Sequence, residues 1–187
     1  MRGASKPRAG RVRHAEKPDK YELAFQLPRY RDLGYPSAVE LDEVLRIRGV
    51  DFSEEIGGKV TLVEHKVGAS DWTFKDWDPL GHTLSWDFEL EEEGYYALGI
   101  RYCAASPATR RLFINGKTPY LEAELILFPE TGGWSNESDD WQNWVFSDSS
   151  GQPYLFYLPA GKNRLTMRNT SASGLNVEYL TILKAER

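Results

Sequence analysis

Three tryptophans fall within one short polar segment of the chain, residues 131–144. Trp134, Trp141 and Trp144 are embedded there among glycine, serine, asparagine and aspartate, a composition typical of a loop. A rigid indole can lie against the flat C–H face of a sugar ring while neighbouring amides and carboxylates bind the sugar hydroxyls. The segment therefore predicts a stacking platform for carbohydrate.

The alternative is that these indoles pack into the hydrophobic core at one end of the molecule. Trp144 leads directly into the apolar pair Val145-Phe146, so core packing and a binding role are both open for it. For Trp134 and Trp141 the binding site is favoured over the core.

A second aromatic loop spans residues 71–78 and contains Trp72 and Trp77. These are too many large aromatic residues for an ordinary turn. Lining a cleft and capping the core are both open for them. Trp86 differs, because it stands in register with Leu84 and Phe88 on one face of a predicted strand, which indicates core.

Motifs for catalysis are missing from the sequence. It has no glycine-rich phosphate loop, no paired-histidine zinc motif and no nucleophile elbow. Glu137, Asp139 and Asp140 are conceivable as the paired carboxylates of a glycosidase. Adjacent acids in a loop are more often solvated charge, so we expect a protein that is not an enzyme.

The distribution of charge along the chain restricts the classes of molecule that this protein can bind. Residues 1–20 carry seven basic and two acidic side chains, which leaves +5 there and −10 over the other 167 residues. An acidic body argues against nucleic-acid binding, which needs a basic face.

No apolar stretch approaches the length of a membrane span, and the N-terminus lacks the apolar block of a signal peptide. A single cysteine, Cys103, excludes an internal disulfide, and its apolar surroundings predict burial.

The elements that must position these residues are short strands separated by turns. The alternation in residues 83–90 predicts a half-buried strand, and residues 95–102 complete a candidate hairpin with it. Asn115-Gly116 predicts a two-residue turn followed by a strand at about 120–127. Further strands are expected at 154–158, 163–168 and 177–183. Eight or more strands at this spacing indicate an all-β protein, an antiparallel β-sandwich or barrel.

The chain divides into three predicted parts. Residues 1–20 form a basic disordered tail or linker, residues 21–45 an N-terminal extension, and residues 46–187 the β-sandwich. Within the extension, a short strand is conceivable at 21–27. A short helix is predicted at 36–45, where good helix formers follow Pro36.

The order of motifs from residue 46 onward resembles the carbohydrate-binding modules of families 6 and 35. These motifs are GYYALGIRY, LFING, TGGW followed by a further tryptophan, LPAGKNRLTM and GLNVEYLTI. The resemblance implies a jelly-roll sandwich, secreted or at the cell surface, that serves as an accessory module of a polysaccharide-degrading enzyme in the same polypeptide. A structural module that packs against a catalytic domain or partner protein, with its loop aromatics as the interface, is the alternative.

The resemblance also implies site residues and a metal. It places a sugar between aromatic rings in a cleft of loops, at a tryptophan of the 134–144 loop, an aromatic residue of the 72–77 loop such as Trp77, and Asn176. The family commonly binds structural calcium through two glutamates of an opening strand and an acid of the last strand. Here Arg48 and Val50 stand at the glutamate positions while Glu178 remains. We therefore expect no cofactor, and predict that Arg48 pairs with Glu178 in place of the metal.

Overall fold

The structure, a computed structural model, describes residues 27–37 and 40–186. Strands dominate this part of the chain, together with two short 3-10 helices at Tyr30–Asp32 and Leu121–Glu124. The strands are β1 (Glu40–Arg48), β2 (Glu54–Ile56), β3 (Thr61–Val63), β4 (Thr73–Lys75), β5 (Thr83–Leu90), β6 (Gly94–Cys103), β7 (Ala108–Ile114), β8 (Ile126–Phe128), β9 (Gln142–Val145), β10 (Leu155–Leu158), β11 (Gly161–Asn169) and β12 (Asn176–Glu186).

These strands form two sheets in which all pairings are antiparallel. One sheet has seven strands in the order β10-β6-β12-β4-β3, with β1 also paired to β12 and β9 to β6. The other has five, in the order β2-β5-β11-β7-β8. The predicted all-β antiparallel sandwich is confirmed.

The core lies between the two sheets and is rich in aromatic residues. The even-numbered positions of β5, from Leu84 to Leu90, are buried, whereas Asp87 and Glu89 are exposed. This is the alternation that a half-buried strand requires. Trp86 and Cys103 are both fully buried, as predicted, and burial raises the pKa of the Cys103 thiol.

Two predicted elements are wrong because pairing between distant segments decides them. The segment 40–45, predicted as part of a helix, belongs to β1, which pairs with β12 along its length. Ile47 and the half-buried Leu45 face inward there, and this partnership outweighs local helix propensity. The predicted hairpin of β5 and β6 is also wrong, since the two strands lie in opposite sheets.

The turn at Asn115-Gly116 is confirmed in its geometry. Both residues have positive φ, +50° and +80°, and Ile114 bridges to Lys117 across the turn. The strand predicted to follow at 120–127 is mostly replaced by the second 3-10 helix, and β8 begins only at Ile126.

The predicted tail at 1–20 and all but the last residue of the conceivable strand at 21–27 fall outside the described residues. Within the described part, no helix is long and apolar enough to cross a membrane.

Candidate functional site

A polar cleft of about 280 Å³ lies where four connecting segments of the sandwich meet. The β3–β4 loop, the end of β4 with the loop after it, the β8–β9 loop and the start of β12 each contribute to its lining. The lining residues are Lys66, Lys75, Asp76, Asp78, Trp134, Asn136 and Asn176.

Trp134 and Asn176, both predicted site residues, meet in this cleft. The Asn176 Nδ2 donates to the backbone carbonyl of Trp134 at 3.1 Å, and Lys66 Nζ donates to the same oxygen at 2.9 Å. The Trp134 side chain packs partly against the core and is half-buried. It is the indole that the cleft presents.

The loop that carries Trp134 is held by a reciprocal pair of hydrogen bonds. The Ser135 backbone N–H donates to the Asp140 carboxylate at 2.8 Å, and the Asp140 N–H donates to Ser135 Oγ at 2.9 Å. Gly133 packs so closely on that carboxylate that a Cβ there would lie 2.5 Å from Asp140 Oδ2. Asp140 therefore acts inside the loop, which explains why this acidic segment has a defined shape.

Gly174 allows two walls of the cleft to approach each other. A Cβ at this position would lie 2.1 Å from Asp78 Oδ1 and 3.3 Å from the edge of the Trp134 indole. The missing side chain is what lets the carboxylate and the indole lie side by side.

A buried arginine, Arg110, joins the segments behind the cleft through hydrogen bonds. Arg110 is fully buried and lies over the Trp77 ring with its guanidinium carbon 4.2 Å from the ring centre. It donates to the carbonyls of Trp77 at 3.0 Å and Ser173 at 2.9 Å, and to Asn169 Oδ1. Burial lowers the pKa of Arg110 to about 9, while the negative charge of Asp78 opposes this effect.

Asn169 adds further hydrogen bonds between the same segments. Its Nδ2 group donates to the carbonyls of Trp77 and Asp78, both at 3.0 Å. The loop with Asp78 and the loop before Asn176 are thus joined through buried polar groups, which need such partners to remain in the interior.

Trp77 does not form the predicted opposite wall of the cleft. Its side chain is 0% exposed, packs edge to face with Phe74 and Trp86, and donates from Nε1 to the His82 carbonyl at 3.1 Å. A stacking platform needs an accessible ring face. The neighbours of Trp77 reach the cleft instead. Asp76, whose φ is +66°, and Asp78 are exposed in the loop after β4, whereas Trp77 turns into the core.

Trp141 and Trp144 are also absent from the cleft lining. Trp141 is 6% exposed and donates from Nε1 to the Val67 carbonyl at 2.9 Å, so it joins the β3–β4 loop to the β8–β9 loop. Trp144 lies in β9, half-buried, with its ring 5.2 Å from Phe128 and 5.5 Å from Phe146 between centroids. Trp141 offers too little surface for a platform, and Trp144 packs on the core.

Five cleft residues were not among the predicted site residues: Lys66, Lys75, Asp76, Asp78 and Asn136. Asp76 and Asp78 had a usable signal, because charged side chains remain in water when the tryptophan between them is buried. Lys66 and Asn136 had none in the sequence, since only the fold brings the β3–β4 loop against the β8–β9 loop.

The predicted pairing of Arg48 with Glu178 is wrong. Arg48 binds Asp71 through two hydrogen bonds, of 2.8 and 3.0 Å, while Arg101 Nε donates to Glu178 Oε2 at 2.7 Å. The other carboxylate oxygen of Glu178 accepts from the Ser70 N–H, the Ser70 hydroxyl and the Asp71 N–H.

This set of groups does not fit the calcium that the resemblance implies. Calcium requires several oxygen ligands, whereas the Glu178 carboxylate is surrounded by a guanidinium and by N–H and O–H donors. Across residues 27–37 and 40–186, no group of three or more acidic, histidine or cysteine residues is placed to hold a metal ion.

Comparison with known proteins gives matches in structure alone, since no family model and no curated protein matches the sequence. A family 35 carbohydrate-binding module from Clostridium thermocellum superposes with a TM-score of 0.57 and 19% identity, covering 80% of this chain and 100% of that one. A family 6 module of Cellvibrio mixtus lichenase 5A, solved with cellotriose, has a TM-score of 0.52 and 18% identity over 77% of this chain and 99% of that one.

A third structure shows such a module inside a larger protein. The Podospora anserina β-(1,4)-mannanase, described as GH26-CBM35, matches with a TM-score of 0.56 and 16% identity over 78% of this chain and 28% of the mannanase chain. These comparisons establish that the sandwich has the fold of the family 6 and family 35 modules, as the motif order predicts.

Proposed function

We propose that this protein, whose fold is that of the family 6 and family 35 modules, binds carbohydrate in the cleft beside Trp134 without acting on it. The observation that carries the proposal is the meeting of a partly accessible indole with Asn176 and Asp78 in one concave site. The indole covers the apolar face of a sugar ring, and the Asp78 carboxylate binds its hydroxyls. Asn176 is 3% exposed and donates to the Trp134 carbonyl, so its main contribution is to position that tryptophan at the floor of the cleft.

The size and polarity of the cleft suit a small part of a glycan. Its volume, about 280 Å³, lies just below the range of about 300–1,000 Å³ known for small-molecule pockets. We infer that the cleft holds a terminal sugar or a segment of one or two rings of a glycan. Most cleft residues are polar, in keeping with a ligand that carries many hydroxyl groups.

A non-catalytic role is supported by the way the loop uses its acids. Asp140 accepts from Ser135 and Ser138, and Asp139 accepts from the Trp141 N–H, so both contribute to loop structure. We place the protein outside the cell or at its surface, as an accessory module joined to a catalytic domain. The mannanase that carries a family 35 module is a precedent for that arrangement.

The alternative, a purely structural module with its loop aromatics as an interface, receives less support. Trp77 and Trp141 are buried within this chain, at 0% and 6% exposure, so of the loop tryptophans only Trp72 and Trp134 could contact a partner. The glycan-binding role needs only Trp134 to be accessible.

The experiment compares Trp134→Ala with wild type by affinity electrophoresis on a panel of neutral and acidic polysaccharides, followed by calorimetry on the best ligand. We expect at least tenfold weaker binding, because stacked aromatic residues at the centre of a site commonly contribute about 2 kcal/mol. Trp72→Ala is the matched control, since Trp72 is 37% exposed but does not line the cleft.

Circular dichroism and thermal melting of both variants exclude unfolding as the cause of any loss. Retardation of Trp134→Ala equal to that of wild type would remove the cleft from consideration. A wild-type protein retarded by no glycan would favour the interface role.

A further inference from the structure

The carboxylate of Glu178 is one of the most enclosed charges in the described part of the protein. Its side chain is 1% exposed, and that of its partner Arg101 is 19% exposed. The Arg101 guanidinium also donates from Nη2 to the Gly68 carbonyl at 3.1 Å. One arginine therefore joins the last strand to the β3–β4 loop.

The same loop is bound to Glu178 from its other side. The backbone N–H groups of Ser70 and Asp71 donate to Glu178 Oε1 at 2.6 and 3.1 Å, and the Ser70 hydroxyl adds a third bond at 2.7 Å. Residues 68–71 are thus wrapped around one ion pair. Neither charge is left without a partner, which is the condition for keeping charges in a protein interior.

This loop also supplies part of the cleft. Lys66 donates to the Trp134 carbonyl, the Val67 N–H donates to the Ser135 carbonyl, and the Val67 carbonyl accepts from Trp141. Movement of residues 68–71 would displace Lys66 and Val67, and with them the support of Trp134.

We propose that the Arg101–Glu178 ion pair fixes the β3–β4 loop, and through it one wall of the cleft, without any metal ion. The guanidinium provides the positive charge and directed donors that a calcium ion would otherwise supply to this carboxylate. The protein is consequently independent of calcium in both its stability and the order of this loop.

A neighbouring pair on the same loop serves as the matched control. Arg48 and Asp71 form a two-bond ion pair, but both side chains are 45% exposed. Exposed pairs contribute little because water screens them, whereas loss of one partner of a buried pair leaves an unpaired charge in the interior.

The first measurement is the melting temperature of the wild-type protein in EDTA and in excess CaCl2. We expect the two values to agree within about 1 °C, since about 1 kcal/mol shifts the melting temperature of a chain of this size by about 2–4 °C. A fall of several degrees in EDTA that CaCl2 reverses would overturn the proposal.

The second measurement compares Arg101→Met with Arg48→Met under the same conditions. Loss of the buried partner is expected to lower the melting temperature by about 6 °C or more, and loss of the exposed one by at most about 4 °C. Equal shifts for the two variants would also overturn the proposal. If Arg101→Met does not fold, Arg101→Lys takes its place, with an intermediate shift expected because lysine lacks the planar fork.

Hydrogen exchange gives a local readout that general destabilisation does not reproduce. In the Arg101 variant the amides of Ser70 and Asp71 should lose protection selectively, under conditions where the β5 amides stay protected, whereas Arg48→Met should retain it. Uniform loss across the chain would contradict a loop-fixing role. These measurements contain no glycan, so their failure is distinguishable from failure of the proposed function.

Discussion

The two tryptophan-bearing loops assign opposite tasks to their aromatic and acidic residues. In the loop after β4, Trp77 is buried and the acids beside it, Asp76 and Asp78, face the cleft. In the 131–144 loop Trp134 faces the cleft and Asp140 turns back to hold its own loop. The comparison teaches that residue type does not decide which side chain meets a ligand. Which side chains of each loop pack against the core decides which ones remain for a ligand.

Replacement of Trp77 by alanine should have the largest effect on stability. It empties a fully buried site beneath Arg110, so the free energy of unfolding should fall by about 3–5 kcal/mol. Urea denaturation measures this loss, with Trp72→Ala as a control expected to stay within about 0.5 kcal/mol of wild type. A stable Trp77→Ala protein that has lost only glycan binding would reverse the contrast between the loops.

Replacement of Asp140 by alanine should have an intermediate effect. The buried Ser135 N–H loses a charged acceptor, which costs about 1–3 kcal/mol in the free energy of unfolding. Because that bond shapes the loop around Trp134, glycan affinity should fall as well. The neighbouring Glu137→Ala is the control, since Glu137 is exposed. Unchanged affinity in Asp140→Ala would show that Trp134 is held sufficiently by its core contacts and by the bonds of Lys66 and Asn176 to its carbonyl.

Gly174→Ala should separate binding from stability. The new methyl group displaces the Asp78 carboxylate, which can rotate away into solvent, so stability should change by less than about 1 kcal/mol. Affinity should fall about tenfold, because the hydroxyl acceptor beside the indole has moved and the methyl group crowds the edge of the Trp134 ring. Calorimetry on the glycan selected by electrophoresis tests this, with Ala172→Gly as a nearby substitution outside the lining. Equal affinity for both variants would mean that Asp78 does not contact the ligand.

Asp78→Asn should have the smallest effect of the four. The amide keeps the shape of the carboxylate and one acceptor oxygen, so affinity should fall only a few-fold, by about 1 kcal/mol. A rise in affinity for acidic polysaccharides would indicate that the wild-type carboxylate repels uronates. Titration of neutral and acidic ligands side by side distinguishes the two results.

The sequence was sufficient for the properties that depend on local alternation. The strand at 83–90, the burial of Trp86 and the turn at Asn115-Gly116 all follow from neighbouring residues, and the structure confirms them. The motif order also led to the correct fold. Pairing was harder, because the choice of β12 as the partner of β1 depends on contacts more than 130 positions apart.

The site was predicted only in part for the same reason. Trp134 and Asn176 were predicted and do line the cleft, although their role in binding stays a prediction. Trp77 and Trp141 were misplaced because a tryptophan in a polar loop can turn either way. The pairing of Arg101 with Glu178 was not predicted, since Glu178 and the carbonyl of Gly68 are distant from Arg101 in the chain. They meet only when β6, β12 and the β3–β4 loop assemble.

The buried guanidinium of Arg110 has a consequence for attempts to transplant the recognition loops into another sandwich. It holds the carbonyls of Trp77 and Ser173, and it acts together with Asn169. A host that received only the surface loops would lack these donors, so no buried hydrogen bonds would hold the two segments together. The transferable unit is the loops together with Arg110, Asn169 and the indole of Trp77, so a change of specificity by grafting must begin in the interior.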